Sequence, residues 1–236
     1  DDVLGEYLSA KLRGTGISLG YVHVVEGEST GVMVIMLLPN GEKAIVGYRG
    51  ANECLTITRE EGEEVASRVN HVHASGYMAL NRDGGESLLN LLSEAVKAGL
   101  TTSVDLEGIA TQAKHFLPKL RGLVTYVFIN GAEASELCGE GDVIECTQGI
   151  VKSLGAEVAF LKLGREGAAV ITPERVGSVR QRNVVEEPVD TTGAGDAFNA
   201  AVIASLIKGA SPTEAAREGN EAGAYACTYL GGFCPT

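Results

Sequence analysis

Nine residues carry the densest chemical signal in the chain: Asp190-Thr191-Thr192-Gly193-Ala194-Gly195-Asp196-Ala197-Phe198. Gly193, Ala194 and Gly195 have almost no side chain, so a ligand can approach their backbone closely. The apolar run 197–207 that follows reads as a helix. Its first N–H groups would have no internal partner, and the positive end of its dipole would face outward. Such an end is an anion site. Asp196 stands inside it and would repel the anion, unless its task is to take a proton from a group attacking that anion. Phosphoryl transfer needs both parts, donors around the transferring phosphate and a base for the acceptor hydroxyl. The plain alternative for a bare GxGD is a glycine turn with an aspartate cap.

The elements that must position this stretch follow from periodicity. Leu4, Leu8 and Leu12 form one apolar face of a helix over residues 2–13, ended by Gly14 and Gly16. Segments 21–25, 31–38 and 42–48 are β-rich, and Asn40-Gly41 between the last two signals a hairpin. Thr58 and Glu61 have the spacing of a capping box, opening a helix to about residue 68. Strands are then expected over 71–76, 100–105, 123–129, 158–163, 168–172 and 183–187. Helices are expected over 85–98, 109–120 with an interruption near Pro118, 133–137, 141–154, 194–208 and 212–229. The strands are near-continuous apolar runs, as parallel strands buried on both faces should be. The pattern implies an α/β fold with a doubly wound, mostly parallel sheet between helices. Residues 1–14 and 51–236 form its core, and 15–50 a small β insert, either an edge hairpin or a β-lid over a site. Ligands in such folds sit at the C-terminal ends of strands, here just after Ser75, Val104, Ile129, Leu163 and Val189.

Bulk properties narrow the partners. A net charge of −12 opposes nucleic acid and anionic membrane surfaces. It also opposes a nucleotide, whose site must therefore rely on local N–H donors, Mg²⁺ and a few cations. The five cysteines are dispersed with no CxxC pair, which fits reduced thiols in a cytoplasmic protein. No apolar run is long enough to span a bilayer. His71 and His73 stand at i, i+2, and they read as strand residues on one face rather than as metal ligands.

The full string Asp190 to Phe198 resembles the C-terminal signature of the ribokinase (PfkB) family of carbohydrate kinases. The resemblance implies a ribokinase-like fold with a β-lid and ATP-dependent phosphorylation of a small sugar. Asp196 would be the catalytic base, with Gly193, Ala194 and Gly195 the anion hole. Asn130-Gly131-Ala132-Glu133 looks like the family's NxxE motif, whose Glu helps hold Mg²⁺ through water. Read alone it is a helix cap. Gly164-Arg165-Glu166-Gly167 is similar to the family's GxxG along the nucleotide phosphates, with Lys162 and Arg165 adding positive charge; read alone it is a β-turn. Asn220 matches an Asn beside the adenine, although taken alone it reads as a surface residue. Asp190 and Thr192 match positions that help hold K⁺ in part of the family, with Gly231 closing that loop. Gly76, Tyr77, Asp105 and the lid segment around Arg49 fall where the family approaches its sugar. Arg49 would suit an acidic sugar, since a guanidinium pairs with a carboxylate in a fixed geometry.

The acceptor is left open among ribose, a fructose-type sugar, a 2-keto-3-deoxy sugar acid and a nucleoside. A non-catalytic nucleotide-binding protein is the reading from another class. Asp1-Asp2-Val3-Leu4-Gly5 resembles a GxDxxG segment that members reach only after a first β-α-β portion bearing sugar-binding residues. The expectation is a chain with the family's nucleotide half, an incomplete sugar half and a shortened C-terminus. The apolar alternation of 32–38 would suit a lid–lid homodimer.

Overall fold

Residues 1–37 and 43–232 are described by a computed structural model. The Asn40-Gly41 turn lies outside them. Strands β1 (Val32–Leu37) and β2 (Lys43–Tyr48) pair antiparallel as a two-stranded sheet of their own, from Val32 opposite Tyr48 to Leu37 opposite Lys43. Helix α1 (Val3–Arg13) precedes them, capped by Asp2, and buries none of its residues. Its apolar face is present, yet Leu4 and Leu8 are exposed.

The main sheet has six strands in sequence order: β3 (His71–Ser75), β4 (Thr101–Asp105), β5 (Tyr126–Asn130), β6 (Val158–Lys162), β7 (Ala168–Ile171) and β8 (Val176–Val179). The first four are parallel, and β7 and β8 return antiparallel. Crossovers between parallel strands carry α3 (Glu86–Lys97), α4 (Glu107–Gln112), α5 (Gly131–Cys138) and α6 (Val143–Leu154). Helices α7 (Ala194–Ile207) and α8 (Pro212–Ala226) come last, and α2 (Arg59–Ala66) packs beside α3.

Alternation along each strand divides the core in two. Val127, Ile129 and Leu161 face Leu88, Leu92, Ile109 and Leu154. Phe128 and Phe160 face the other way, onto Phe198, Val202 and Ala215. Each such side chain contributes about 1.5–3 kcal/mol when fully buried. Helices α7 and α8 close on each other through Gly219, where a β-carbon would stand 2.7 Å from Val202 and 2.8 Å from Phe198.

The capping box at Thr58 forms as expected, with Thr58 and Glu61 each bonding the other's backbone N–H. Four expectations are corrected. Residues 21–25 form no strand; Tyr21 instead donates to Glu64 at 3.1 Å from a loop. Residues 183–187 form no strand either, because β8 takes the edge of β7. Cys138 and Cys146 are disulfide-bonded rather than dispersed thiols: the turn between α5 and α6 brings their Cα atoms to 5.9 Å. Cys54 is a free thiol. The break expected near Pro118 falls earlier, at Ala113, between α4 and a 3-10 stretch over Lys114–Leu120. Among the described residues no helix is long and apolar enough to cross a membrane.

Candidate active site

The C-terminal ends of β3 to β6 and the first turn of α7 form one rim. A cleft of about 340 Å³ opens along it, and Asn130, Lys162, Gly164, Arg165, Gly167, Ala194, Gly195 and Asn220 of the expected residues line it. Val184, Phe198 and Ala224 add apolar wall.

The start of α7 is built by glycine. Gly193 caps the helix at φ 80°, and a β-carbon there would lie 2.9 Å from the Gly232 backbone. Side-chain-bearing residues avoid this backbone region. The N–H of Ala194 makes a turn bond of 3.3 Å to Thr191, and that of Ala197 bonds Gly193. The N–H groups of Gly195 and Asp196 find no acceptor among the described residues, which is the donor pair expected at a helix start. Asp190 braces the loop: one carboxylate oxygen accepts from the N–H and hydroxyl of Thr192, at 2.9 and 2.8 Å, and the other accepts from the Gly231 N–H at 3.1 Å. The Gly231 N–H thus closes the loop back onto Asp190.

Asp196 is exposed and lines a second cavity with His73 and Asn199. Behind it, Lys162 pairs with Asp105 at 2.5 Å, so Asp105 is not free to meet a sugar as expected. Asn199 also donates to Asp105, at 2.6 Å. Asn199 went unremarked in the sequence, although it stands three residues after Asp196 on the same helix. Glu107 was missed too. Its carboxylate accepts from the Ser75 hydroxyl at 2.5 Å, and burial pushes it up to about 7, helped by the nearby charges of Asp105, Asp196 and Glu133.

Asn130 and Glu133 make a reciprocal capping box at the start of α5, each side chain 2.9 Å from the other's backbone N–H. The plain reading of NxxE is therefore correct for the local geometry. It leaves one Glu133 oxygen uncommitted, in a carboxyl that burial raises above its ordinary range. Gly164-Arg165-Glu166-Gly167 is the turn between β6 and β7, and a β-carbon on Gly167 would collide with the Val179 carbonyl. Asn220 is buried, contrary to its surface reading, and donates to the Val179 carbonyl at 3.0 Å. Arg49 donates to the Tyr77 carbonyl and the Asn81 side chain at 2.9 and 2.8 Å, tying the base of β2 to the end of β3. Gly76 is required by packing, since a β-carbon would lie 2.5 Å from the Asp105 carbonyl. His71 and His73 bond Thr101 and Ser103 as strand neighbours, as read.

The cleft lies at strand ends, beside a helix start with open donors and an adjoining carboxylate, in a ribokinase-like α/β fold with a mixed, mostly parallel sheet. The chain belongs to the pfkB family of carbohydrate kinases, whose family model matches residues 1–234. It is 29% identical to the ribokinase of Arabidopsis thaliana over all of this chain and 62% of that protein. It is 28% identical to the 2-dehydro-3-deoxygluconokinase of Bacillus subtilis, covering 95% of this chain and 71% of that one. The chain thus spans less than two thirds of the Arabidopsis relative. Among solved structures, adenosine kinase from Sinorhizobium meliloti superposes with a TM-score of 0.86 at 25% identity, over 98% of this chain and 71% of its own. Arabidopsis ribokinase complexed with ribose and ATP gives a TM-score of 0.81 at 26% identity, over 98% and 74%.

Proposed function

We propose that the chain transfers the γ-phosphoryl group of ATP to a hydroxyl of a small sugar-type acceptor. One juxtaposition carries the reading: the open N–H groups of Gly195 and Asp196 at the start of α7, with the Asp196 carboxylate facing the adjoining cavity. ATP lies in the cleft, its phosphates toward Gly193–Gly195 and the turn of Gly164 and Gly167, its base toward Asn220. Asp196 takes the proton of the acceptor hydroxyl. The donors of the helix start stabilise the charge of the phosphoryl group, a contribution of about 3 kcal/mol per well-placed donor.

Magnesium fits the oxygen donors of Glu133 and Asn130 through water. Among the described residues no three His, Cys, Asp or Glu are arranged to hold a metal directly, and magnesium keeps several of its waters. When bound, it neutralises phosphate charge. K⁺ beside the Asp190–Thr192–Gly231 loop is a further part of the reading, tested by replacing K⁺ with choline. A homodimer through β1 and β2 is favoured by the exposed Met33, Val34, Ile45 and Val46, and sedimentation would test it.

The test is phosphoryl transfer from Mg·ATP to ribose, fructose, 2-keto-3-deoxy sugar acids and nucleosides. Asp196→Asn should lose about 10²–10⁴ in kcat with ADP affinity nearly unchanged. Undiminished turnover in the variant would overturn the role of Asp196. Tight Mg·ATP binding without transfer to any acceptor would favour a non-catalytic nucleotide binder.

A further inference from the structure

Lys162, Asp105 and Asn199 come from β6, β4 and α7 and meet in one buried knot. The Lys162 Nζ lies 2.5 Å from Oδ2 of Asp105 and 3.3 Å from Oδ1 of Asn199. Asn199 Nδ2 donates to the same Oδ2 at 2.6 Å. Asp105 and Asn199 are only 5% and 3% exposed. A buried pair of this kind is weak evidence for stability, because desolvation offsets the attraction. Its placement points elsewhere. An ammonium has three donors, and two are engaged here. The Nζ is 3.6 Å from where a β-carbon would stand on Gly195, so the third is left for the neighbourhood of the helix start. Lys162 lines the nucleotide cleft, whereas Asn199 lines the second cavity with Asp196. The knot stands where the two meet.

We infer that Lys162 is a catalytic residue whose ammonium accompanies the phosphoryl group between nucleotide and acceptor, and that Asp105 and Asn199 are positioning residues that fix it there. The inference rests on the phosphotransferase reading above. In the transfer, the acceptor oxygen bonds to phosphorus as the bond from phosphorus to the ADP oxygen breaks. The acceptor proton passes to Asp196, and ADP leaves with the electron pair. A charge already fixed beside Gly195 meets the phosphoryl oxygens without reorganising. A lysine on its flexible stem does not stay in place unaided; the two positioning residues remove that freedom.

The experiment compares binding of ADP with binding of ADP plus aluminium fluoride, a flat mimic of the phosphoryl group in flight. Calorimetry and turnover are measured, with Mg²⁺ present, on the unaltered chain and on Lys162→Met, Asp105→Asn and Asn199→Ala. ADP affinity should stay within about threefold in all four. The extra affinity gained from aluminium fluoride should fall about 30-fold or more in Lys162→Met and about tenfold in the other two, with kcat falling in step. A variant that melts lower but keeps the full fluoride gain would show a structural role and overturn the inference. If Asp105→Asn does not fold, Asn199→Ala carries the same test. Full gain and turnover in Lys162→Met would overturn the inference and leave the phosphotransferase reading standing. An unaltered chain that binds ADP, gains nothing from fluoride and transfers no phosphoryl group would overturn the phosphotransferase reading, and the inference with it.

Discussion

Replacing Glu107 by Gln should change how stability depends on pH. The Glu107 carboxyl is half-buried between the ends of β3 and β4, and burial raises it from 4.5 to about 7. Asp105, Asp196 and Glu133 push the same way, and the Ser75 hydroxyl opposes them. A folded-state value above the unfolded one means that the fold holds a proton the unfolded chain has released. Stability from this group is therefore complete below 4.5 and is lost as pH rises through about 7. The full shift corresponds to about 3 kcal/mol, and partial solvent screening reduces the expected span to about 2 kcal/mol. The glutamine side chain of Glu107→Gln cannot ionise, yet its amide oxygen still accepts from Ser75. The variant should match the unaltered chain near pH 4.5 and exceed it by about 2 kcal/mol at pH 8, with no further gain above. Urea unfolding followed by circular dichroism, in chelator and at constant ionic strength, measures this. A stability difference that stays flat from pH 4.5 to 8 would refute the reasoning, because it would mean that the carboxyl ionises equally easily folded and unfolded.

Three further perturbations follow from the same structure. Gly193→Ala forces a side chain into the left-handed region against Gly232; it should cost roughly 1–3 kcal/mol and weaken ADP binding, and unchanged urea midpoint and affinity would contradict the helix-start geometry. His71 is held down at about 4 by burial and by His73, so it stays neutral in the fold. Its stability contribution is present above 6.5 and is lost as pH falls toward 4, and His71→Gln should lose less stability over that window than the unaltered chain does. Cys138→Ser, which opens the α5–α6 staple, should lower stability by about 2 kcal/mol under non-reducing conditions, and dithiothreitol should bring the unaltered chain to the same midpoint.

What could be read in the sequence was local. The start of α7 needs residues without side chains and a helix behind them, and both are contiguous in 190–207. The Thr58–Glu61 box and the buried strands β4 to β6 are equally local signals. Where pairing decides, composition misled. Residues 21–25 and 183–187 contain the β-branched residues strands favour, but a strand exists only if an edge accepts it. The edge of β7 went instead to β8, whose Gly177 and Ser178 carry little strand signal. The disulfide depended in the same way on a hairpin between α5 and α6, which residue spacing alone does not announce.

The site divides along the same line. Backbone-built parts, the glycine turns and the capping box of Asn130 and Glu133, follow from short motifs. Side-chain networks do not: Asn199 finds Asp105 across 94 residues, and Lys162 finds it across 57. This has a consequence for Arg49. Its type alone points to an acidic sugar, whereas its bonds to Tyr77 and Asn81 give it a place at the base of the β1–β2 sheet. A guanidinium so held can still meet a carboxylate with its remaining donors. Its contribution to acceptor choice is therefore a question of geometry rather than of residue type. Arg49→Lys, which keeps the charge and loses the planar fork, separates the two. A change in acceptor preference without a change in melting temperature assigns Arg49 to the acceptor. A lower melting temperature at unchanged preference assigns it to anchoring the sheet.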